Sequence, residues 1–165
     1  MHQQSEQPSR RIAIEPARFR DLSAIARIQG DAFRPGLDYG QFALIVLWML
    51  PAATFLVARD TASGAVVGNL IADRYRGNTR IVNIAVAKDA RRQGIGRQLL
   101  RTLDTCCPEG DVVLSVEADN ISAQRLYEQE GYIRTAMTRD YYGPGRHGYT
   151  MKRHRREVPI SVTTP

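Results

Sequence analysis

Two rhythms of apolar residues alternate along the chain. Continuous or every-second-residue runs predict strands at Ile12–Glu15, Thr54–Arg59, Ala65–Asp73, Arg80–Val86, Asp111–Val116, Tyr132–Asp140 and His147–Arg153. Three-and-four spacing predicts helices over Asp21–Phe33, Phe42–Leu50, Gly94–Thr105 and Ile121–Glu130. Thr61-Ala62-Ser63-Gly64 and Gly143-Pro144-Gly145 carry turn chemistry, and Phe33 to Asp38 reads as a loop. Phe42 to Ala58 is almost unbroken apolar sequence, but Pro51 divides it into a helix and a buried strand, so no membrane span is expected. The apolar positions around Trp48 suit either a dimer face or a substrate wall.

The centre, Arg80 to Val116, is a strand–helix–strand unit that should close as a right-handed parallel crossover. Such units bind ligands beyond the carboxyl ends of their strands. Arg91-Arg92-Gln93-Gly94-Ile95-Gly96 lies at that end, where a strand turns through glycines into a helix. Free backbone N–H groups then converge on one point with the helix dipole behind them, which suits an anion such as a pyrophosphate. Downstream, Asn120-Ile121-Ser122-Ala123-Gln124-Arg125-Leu126-Tyr127-Glu128-Gln129-Glu130-Gly131-Tyr132 puts Asn120 and Tyr127 on one helix face, two turns apart.

Together the two motifs resemble the GNAT superfamily of acetyl-coenzyme A-dependent N-acetyltransferases, over roughly Ile12 to Lys152. The first matches that family's R/Q-x-x-G-x-G/A loop, the second its N-x-x-A-x-x-L-Y-x-x-x-G-F/Y helix. The nearest likeness is to the branch that acetylates ribosomal and other protein N-termini. The resemblance implies an α/β (α+β) fold: a mixed, mostly antiparallel seven-stranded sheet, splayed at two central parallel strands and flanked by about four helices. It also implies acetyl-CoA as the donor, with Arg91, Arg92, Gln93, Gly94, Ile95, Gly96 and Arg97 around its pyrophosphate. Main chain at Ile84, Ala85 and Val86, with Asn120, would meet the pantetheine arm. Tyr127 would sit beside the sulfur, where a phenol of pKa about 10 keeps its proton at neutral pH and can donate to a thiolate. Read without the family, Asn120 suits a helix N-cap, Tyr127 a core tyrosine and Ile84–Val86 a core strand.

The general base is not defined by the motifs. Where some branches carry a glutamate on the fourth strand this chain has Arg80, and where others carry one before the helix asparagine it has Ser115. Glu117, two residues on and so on the same strand face, is either a base acting through water or a surface charge. By resemblance to protein N-terminal acetyltransferases, Tyr141 and Tyr142 would bind acceptor backbone, with Phe33 and Tyr39 on the opposite wall and Ser115 between. Those enzymes usually carry an acidic residue where His147 stands. Aromatic cross-strand pairing accounts for the same tyrosines without a ligand.

Composition narrows this picture. A chain of 165 residues with 43% hydrophobic content suits one domain, expected over residues 11–154 with polar, disordered tails at 1–10 and 155–165. Net charge is +6 with a pI near 9.7, which favours an anionic partner: a polyanionic cofactor, an acidic peptide or nucleic acid. The run Lys152, Arg153, Arg155 and Arg156 reads as a solvated tail. Cys106 and Cys107 are adjacent and the histidines lack ligand spacing, so neither a disulfide framework nor a metal site is expected. With no apolar leader in Met1–Arg11, the expected location is cytoplasmic. The expected partners are acetyl-CoA and a protein or peptide amine, the chain being a monomer or homodimer. A small-molecule amine (polyamine, amino acid or antibiotic) is the alternative acceptor. A basic module that binds nucleic acid without catalysis is the alternative from another class, although no nucleic-acid motif is present.

Overall fold

The computed structural model describes residues 11–32 and 40–155. Among these residues seven strands form one sheet: β1 (Ile12–Pro16), β2 (Thr54–Asp60), β3 (Val66–Tyr75), β4 (Asn78–Val86), β5 (Val112–Glu117), β6 (Ile133–Thr138) and β7 (Gly148–Arg153), ordered β1-β2-β3-β4-β5-β7-β6. Four helices flank it: α1 (Leu22–Ala32), α2 (Gln41–Trp48), α3 (Ile95–Cys106) and α4 (Ile121–Gln129). All pairings are antiparallel except β4–β5. The expected sheet class, its parallel centre and its four helices are therefore present.

Two buried clusters occupy opposite faces. Leu99, Leu100 and Leu103 of α3 pack with Leu70, Ile81, Leu114 and Tyr127. Ile25 and Ile28 of α1 pack with Leu44, Phe55, Ile71 and Ala85. A bulge in β4 redistributes side chains between these faces, because Ile71 pairs with Asn83 and Ala72 with Ile81, leaving Val82 over. Asn83 and Ala85 consequently point toward α1 and α2, while Ile84 and Val86 pack on the α3 side.

Local departures from expectation have identifiable causes. β3 and β4 run on to Tyr75 and Asn78 because Arg76 and Gly77 form a two-residue turn, both with positive φ (50° and 79°). That geometry matches the right-handed twist of a hairpin. The first helix begins at Leu22 rather than Asp21, since Asp21 closes a short 3₁₀ turn, accepting the Arg18 N–H at 2.9 Å. Phe42 of α2 and Met49, its C-cap, are exposed, while Trp48 packs edge-on against Phe55 at 5.1 Å. No helix among the described residues is long and apolar enough to cross a membrane.

The basic run near the C-terminus is not a solvated tail over its described part. Lys152 Nζ lies 2.7 Å from Asp111, and Arg153 and Arg155 both engage Asp104. Arg155 also donates to the carbonyls of Cys107 and Glu109 and to Thr79 Oγ1. It thus ties the α3–β5 loop to the start of β4. Residues 156–165 lie outside the described residues.

That clamp seats Gly110 (φ 66°) against the β3–β4 turn, where an added Cβ would stand 2.2 Å from the Gly77 carbonyl oxygen. Neither the left-handed backbone nor the contact tolerates a side chain. Gly110→Ala is expected to cost about 3 kcal/mol, lowering Tm by roughly 10 °C in calorimetry. A Tm within 2 °C of wild type would contradict the packing described.

Asp21 supports a pH-dependent test. Burial disfavours its charge, but the Arg18 N–H and the Arg59 guanidinium at 2.9 Å outweigh that and hold its carboxyl below the ordinary carboxylate value. A depressed folded-state pKa gives stability that is present above the unfolded value and lost as pH falls through the folded one. Asp21→Asn is therefore expected to lower stability at pH 7 and to flatten the acid limb of Tm against pH below about 4. An acid limb as steep as wild type would exclude this contribution.

Candidate active site

The parallel register of β4 and β5 holds for Thr79↔Val112, Arg80↔Val113 and Ile81↔Leu114, then stops. Beyond it the strands separate, and a groove of about 860 Å³ opens between them. Val82, Asn83 and Ile84 line one wall and Val113 to Glu117 the other. Leu47 of α2, Asn120, Ala123 and Tyr127 of α4, and Tyr141 and Tyr142 of the β6–β7 hairpin complete it. Main-chain groups facing such a split need partners, and an extended amide-bearing arm can supply them.

At the carboxyl end of β4 the chain passes through a 3₁₀ turn, Lys88–Ala90, and enters α3. Arg92 (φ 61°) and Gly94 (φ 76°) adopt the left-handed conformation, and Gly94 caps α3 without any side-chain hydrogen bond. The first intrahelical bond runs from Gln98 N–H to the Gly94 carbonyl at 3.0 Å, so the N–H groups of Ile95, Gly96 and Arg97 precede it. α4 differs: Asn120 Oδ1 accepts the Ala123 N–H at 3.1 Å. Of these two helix starts, only α3 leaves its leading amides without a side-chain acceptor, which fits an anionic group at that point. Asn120 is thus an N-cap and also a groove residue, and its two readings coexist.

Side chains of the loop are partly committed elsewhere. Arg91 Nε donates to the Val86 carbonyl at 3.0 Å, bracing the loop against β4. Arg97 reaches α4, with Nη2 2.9 Å from Gln129 Oε1 and Nε 2.7 Å from Glu130. Its charge is therefore spent at the end of α4 rather than over the loop. Gly96 is a contact point between α3 and α4, since a Cβ there would come within 2.9 Å of a Leu126 methyl.

Tyr127 is buried at 5% exposure, with its ring 5.7 Å from that of Tyr132. Burial first, then the neighbouring Tyr132 and Tyr142 phenols, push its ionisation well above the ordinary tyrosine value. It keeps its proton throughout the physiological range and remains a donor. Tyr141 and Tyr142 meet edge-to-face at 4.8 Å at the groove mouth, and Gly148 lets Tyr141 lie against β7. Ser115 and Thr150 stand opposite each other across β5 and β7, and both line the groove. Phe33 and Tyr39, expected on the far wall, lie outside the described residues.

Both carboxylates that line the groove among the described residues are paired. Arg80 grips Asp73 with two bonds (3.0 and 2.5 Å) and sits 4.7 Å over the Tyr75 ring. Arg146 grips Glu117 with two bonds of 2.7 and 3.1 Å. Sequence reasoning missed Arg146, Gln124 and Thr150. β5–β7 pairing sets Thr150 opposite Ser115 in the groove wall and brings Arg146 to Glu117, while Gln124 lies on α4 and holds the Glu117 and Ala118 carbonyls just upstream of it.

A split α/β sheet with an anion-seating helix start and a protonated phenol in the cleft has the parts of an acyl-transfer site. A profile of the acetyltransferase (GNAT) domain matches residues 51–134. The chain is 30% identical over 150 residues to an uncharacterised N-acetyltransferase of Methanocaldococcus jannaschii, covering 87% of this chain and 94% of that protein. It is 31% identical over 139 residues to N-alpha-acetyltransferase 30 of Schizosaccharomyces pombe, covering 79% and 90%. Among solved structures it superposes on Ard1 from Thermoplasma volcanium with a TM-score of 0.78 at 30% identity, over 88% of this chain and 99% of that one. The fold is also that of the ribosomal-protein-S18-alanine N-acetyltransferase of Escherichia coli, with a TM-score of 0.79 over 93% and 100% of the chains at 21% identity. This chain belongs to the GNAT acetyltransferase family and is an N-acetyltransferase of that type. The family uses acetyl-CoA as its donor.

Proposed function

We propose that this enzyme acetylates the α-amino group of protein or peptide N-termini, with acetyl-CoA as donor. The observation that carries the reading is that the two carboxylates lining the groove among the described residues are paired with arginines, Asp73 with Arg80 and Glu117 with Arg146. A polyamine site would need carboxylates available to cationic amines. A groove of balanced charge with a tyrosine pair at its mouth suits the neutral amine and backbone of a peptide. The likeness to N-alpha-acetyltransferase 30 supports the same acceptor class.

In this reading the leading amides of α3 hold the pyrophosphate, with Arg91, Arg92 and Gln93 framing it. Main chain at Ile84, Ala85 and Val86 and the Asn120 side chain receive the pantetheine arm. The amine nitrogen attacks the thioester carbon, β4 main chain polarises the carbonyl oxygen, and the C–S bond breaks. Tyr127 donates a hydrogen bond to the departing thiolate while keeping its own proton, and the proton released by the amine passes to a solvent water, from which the sulfur takes up its proton. Ser115 and Thr150 line the path by which such a water reaches the amine. The location consistent with this reading is cytoplasmic.

The test incubates the enzyme with acetyl-CoA and a mixed library of peptides and small amines, with products identified by mass spectrometry. Acetylated peptide N-termini are expected. Turnover confined to polyamines, amino acids or antibiotics would replace the acceptor class, and turnover of neither would remove the reading.

A further inference from the structure

Glu117 occupies a junction. Its backbone carbonyl accepts the Asn120 N–H at 3.0 Å and the Gln124 side-chain amide at 3.1 Å, which binds it to α4. Gln124, 1% exposed, also donates to the Ala118 carbonyl at 2.8 Å. The Ala118 N–H in turn bonds the His147 carbonyl at 2.9 Å, at the root of the β6–β7 hairpin. The Glu117 side chain, 14% exposed, accepts two hydrogen bonds from Arg146 of that hairpin. Bidentate carboxylate–guanidinium pairing fixes orientation as well as distance.

The hairpin has further internal bonds that Arg146 brings to this anchor. Tyr142 N–H donates to the Arg146 carbonyl at 3.1 Å, Arg146 N–H to the Gly143 carbonyl at 2.9 Å, and Gly145 N–H to Asp140 Oδ1 at 2.7 Å. Tyr141 and Tyr142 therefore sit on a small closed loop whose Glu117–Arg146 side-chain bond reaches β5. The charged and titratable groups acting on Arg146 are Glu117 foremost, then Asp119 and Tyr142, so the guanidinium is held charged.

We infer that Glu117 and Arg146 act as a paired clamp that positions the Tyr141–Tyr142 hairpin over the acceptor groove, and that Glu117 is a positioning residue rather than the proton acceptor. The inference rests on the acceptor reading above for its kinetic consequence, but the clamp itself is a property of the chain. It also links the two halves of the site, because one residue holds the start of the cofactor-side helix α4 with its backbone and the acceptor hairpin with its side chain.

A double-mutant cycle separates the two roles. Glu117→Gln, Arg146→Gln and the double variant are assayed with the acceptor that wild type turns over fastest. As a clamp, either single change raises the acceptor KM about tenfold, kcat falls far less, and the double variant is no worse than either single. The limbs of the pH–rate profile stay where wild type has them. A kcat loss of about a hundredfold or more in Glu117→Gln, with its acid limb displaced and Arg146→Gln close to wild type, would make Glu117 the base and overturn the proposal. Hydrogen exchange on the ligand-free proteins provides an independent readout. Amides 142–146 are expected to exchange at least about tenfold faster in both single variants, with α3 unchanged. Unchanged hairpin exchange would overturn the clamp even if no acceptor were found, whereas failure of every peptide acceptor would strike only the proposed function.

Discussion

Replacing Tyr127 by phenylalanine is expected to lower kcat about a hundredfold while leaving coenzyme A affinity within about threefold. The asymmetry follows from what the hydroxyl does. The ring is packed against Tyr132 in the α3-side core, and phenylalanine preserves that packing. Tyr127 lines the groove from a buried position that strongly favours its protonated form. Its hydroxyl contributes only as charge develops on sulfur, so its loss is confined to the transition state. Tyr132 supplies the control: its hydroxyl is buried without a hydrogen-bond partner among the described residues. Tyr132→Phe should keep full turnover and gain about 1 kcal/mol in stability, because an unsatisfied buried group is removed. Full activity in Tyr127→Phe would end the assignment of Tyr127 as hydrogen-bond donor to the thiolate.

Gly94→Val is expected to weaken coenzyme A binding by about 10- to 100-fold in calorimetry. At φ 76° a β-branched residue is strained, and the loop relieves that strain only by turning the amides of Ile95, Gly96 and Arg97 away from their common focus. The loss should be specific to the pyrophosphate. A pantetheine fragment lacking the nucleotide and diphosphate should inhibit wild type and Gly94→Val equally well. Gly94→Ala should fall between them, since a single methyl is less strained. Equal coenzyme A affinity in Gly94→Val and wild type would refute the anion seat at α3, and with it the direction in which the donor lies along the groove.

Much of the fold was legible because apolar spacing carries it. All seven strands and four helices were expected from period and turn chemistry, with ends displaced by one to a few residues. The displacement at β3–β4 came from Arg76-Gly77, a weaker hairpin signal than Asn-Gly or Asp-Gly. The glycine loop and the Asn120–Tyr127 helix were legible for a related reason, since each uses local backbone geometry that a short run of residues specifies. The reading of Lys152–Arg155 as a free tail failed because charge runs say nothing of the acidic residues folded beside them. Asp111 and Asp104 lie 41 to 51 residues upstream and meet these side chains only once α3, β5 and β7 are packed together.

The sequence by itself determined the element order and the glycine-led start of α3, because these depend on interactions between residues close together in the chain, and the split-sheet class followed from the resemblance that its two motifs carry. Tertiary structure alone decided which charges are used up. Arg97 turns to Glu130, Arg80 to Asp73 and Arg146 to Glu117, each across elements distant in sequence or paired through the sheet. A carboxylate's chemistry is set by what stands within a few ångströms of it. For Glu117 that neighbour is a guanidinium 29 positions away, delivered by the register of two strands.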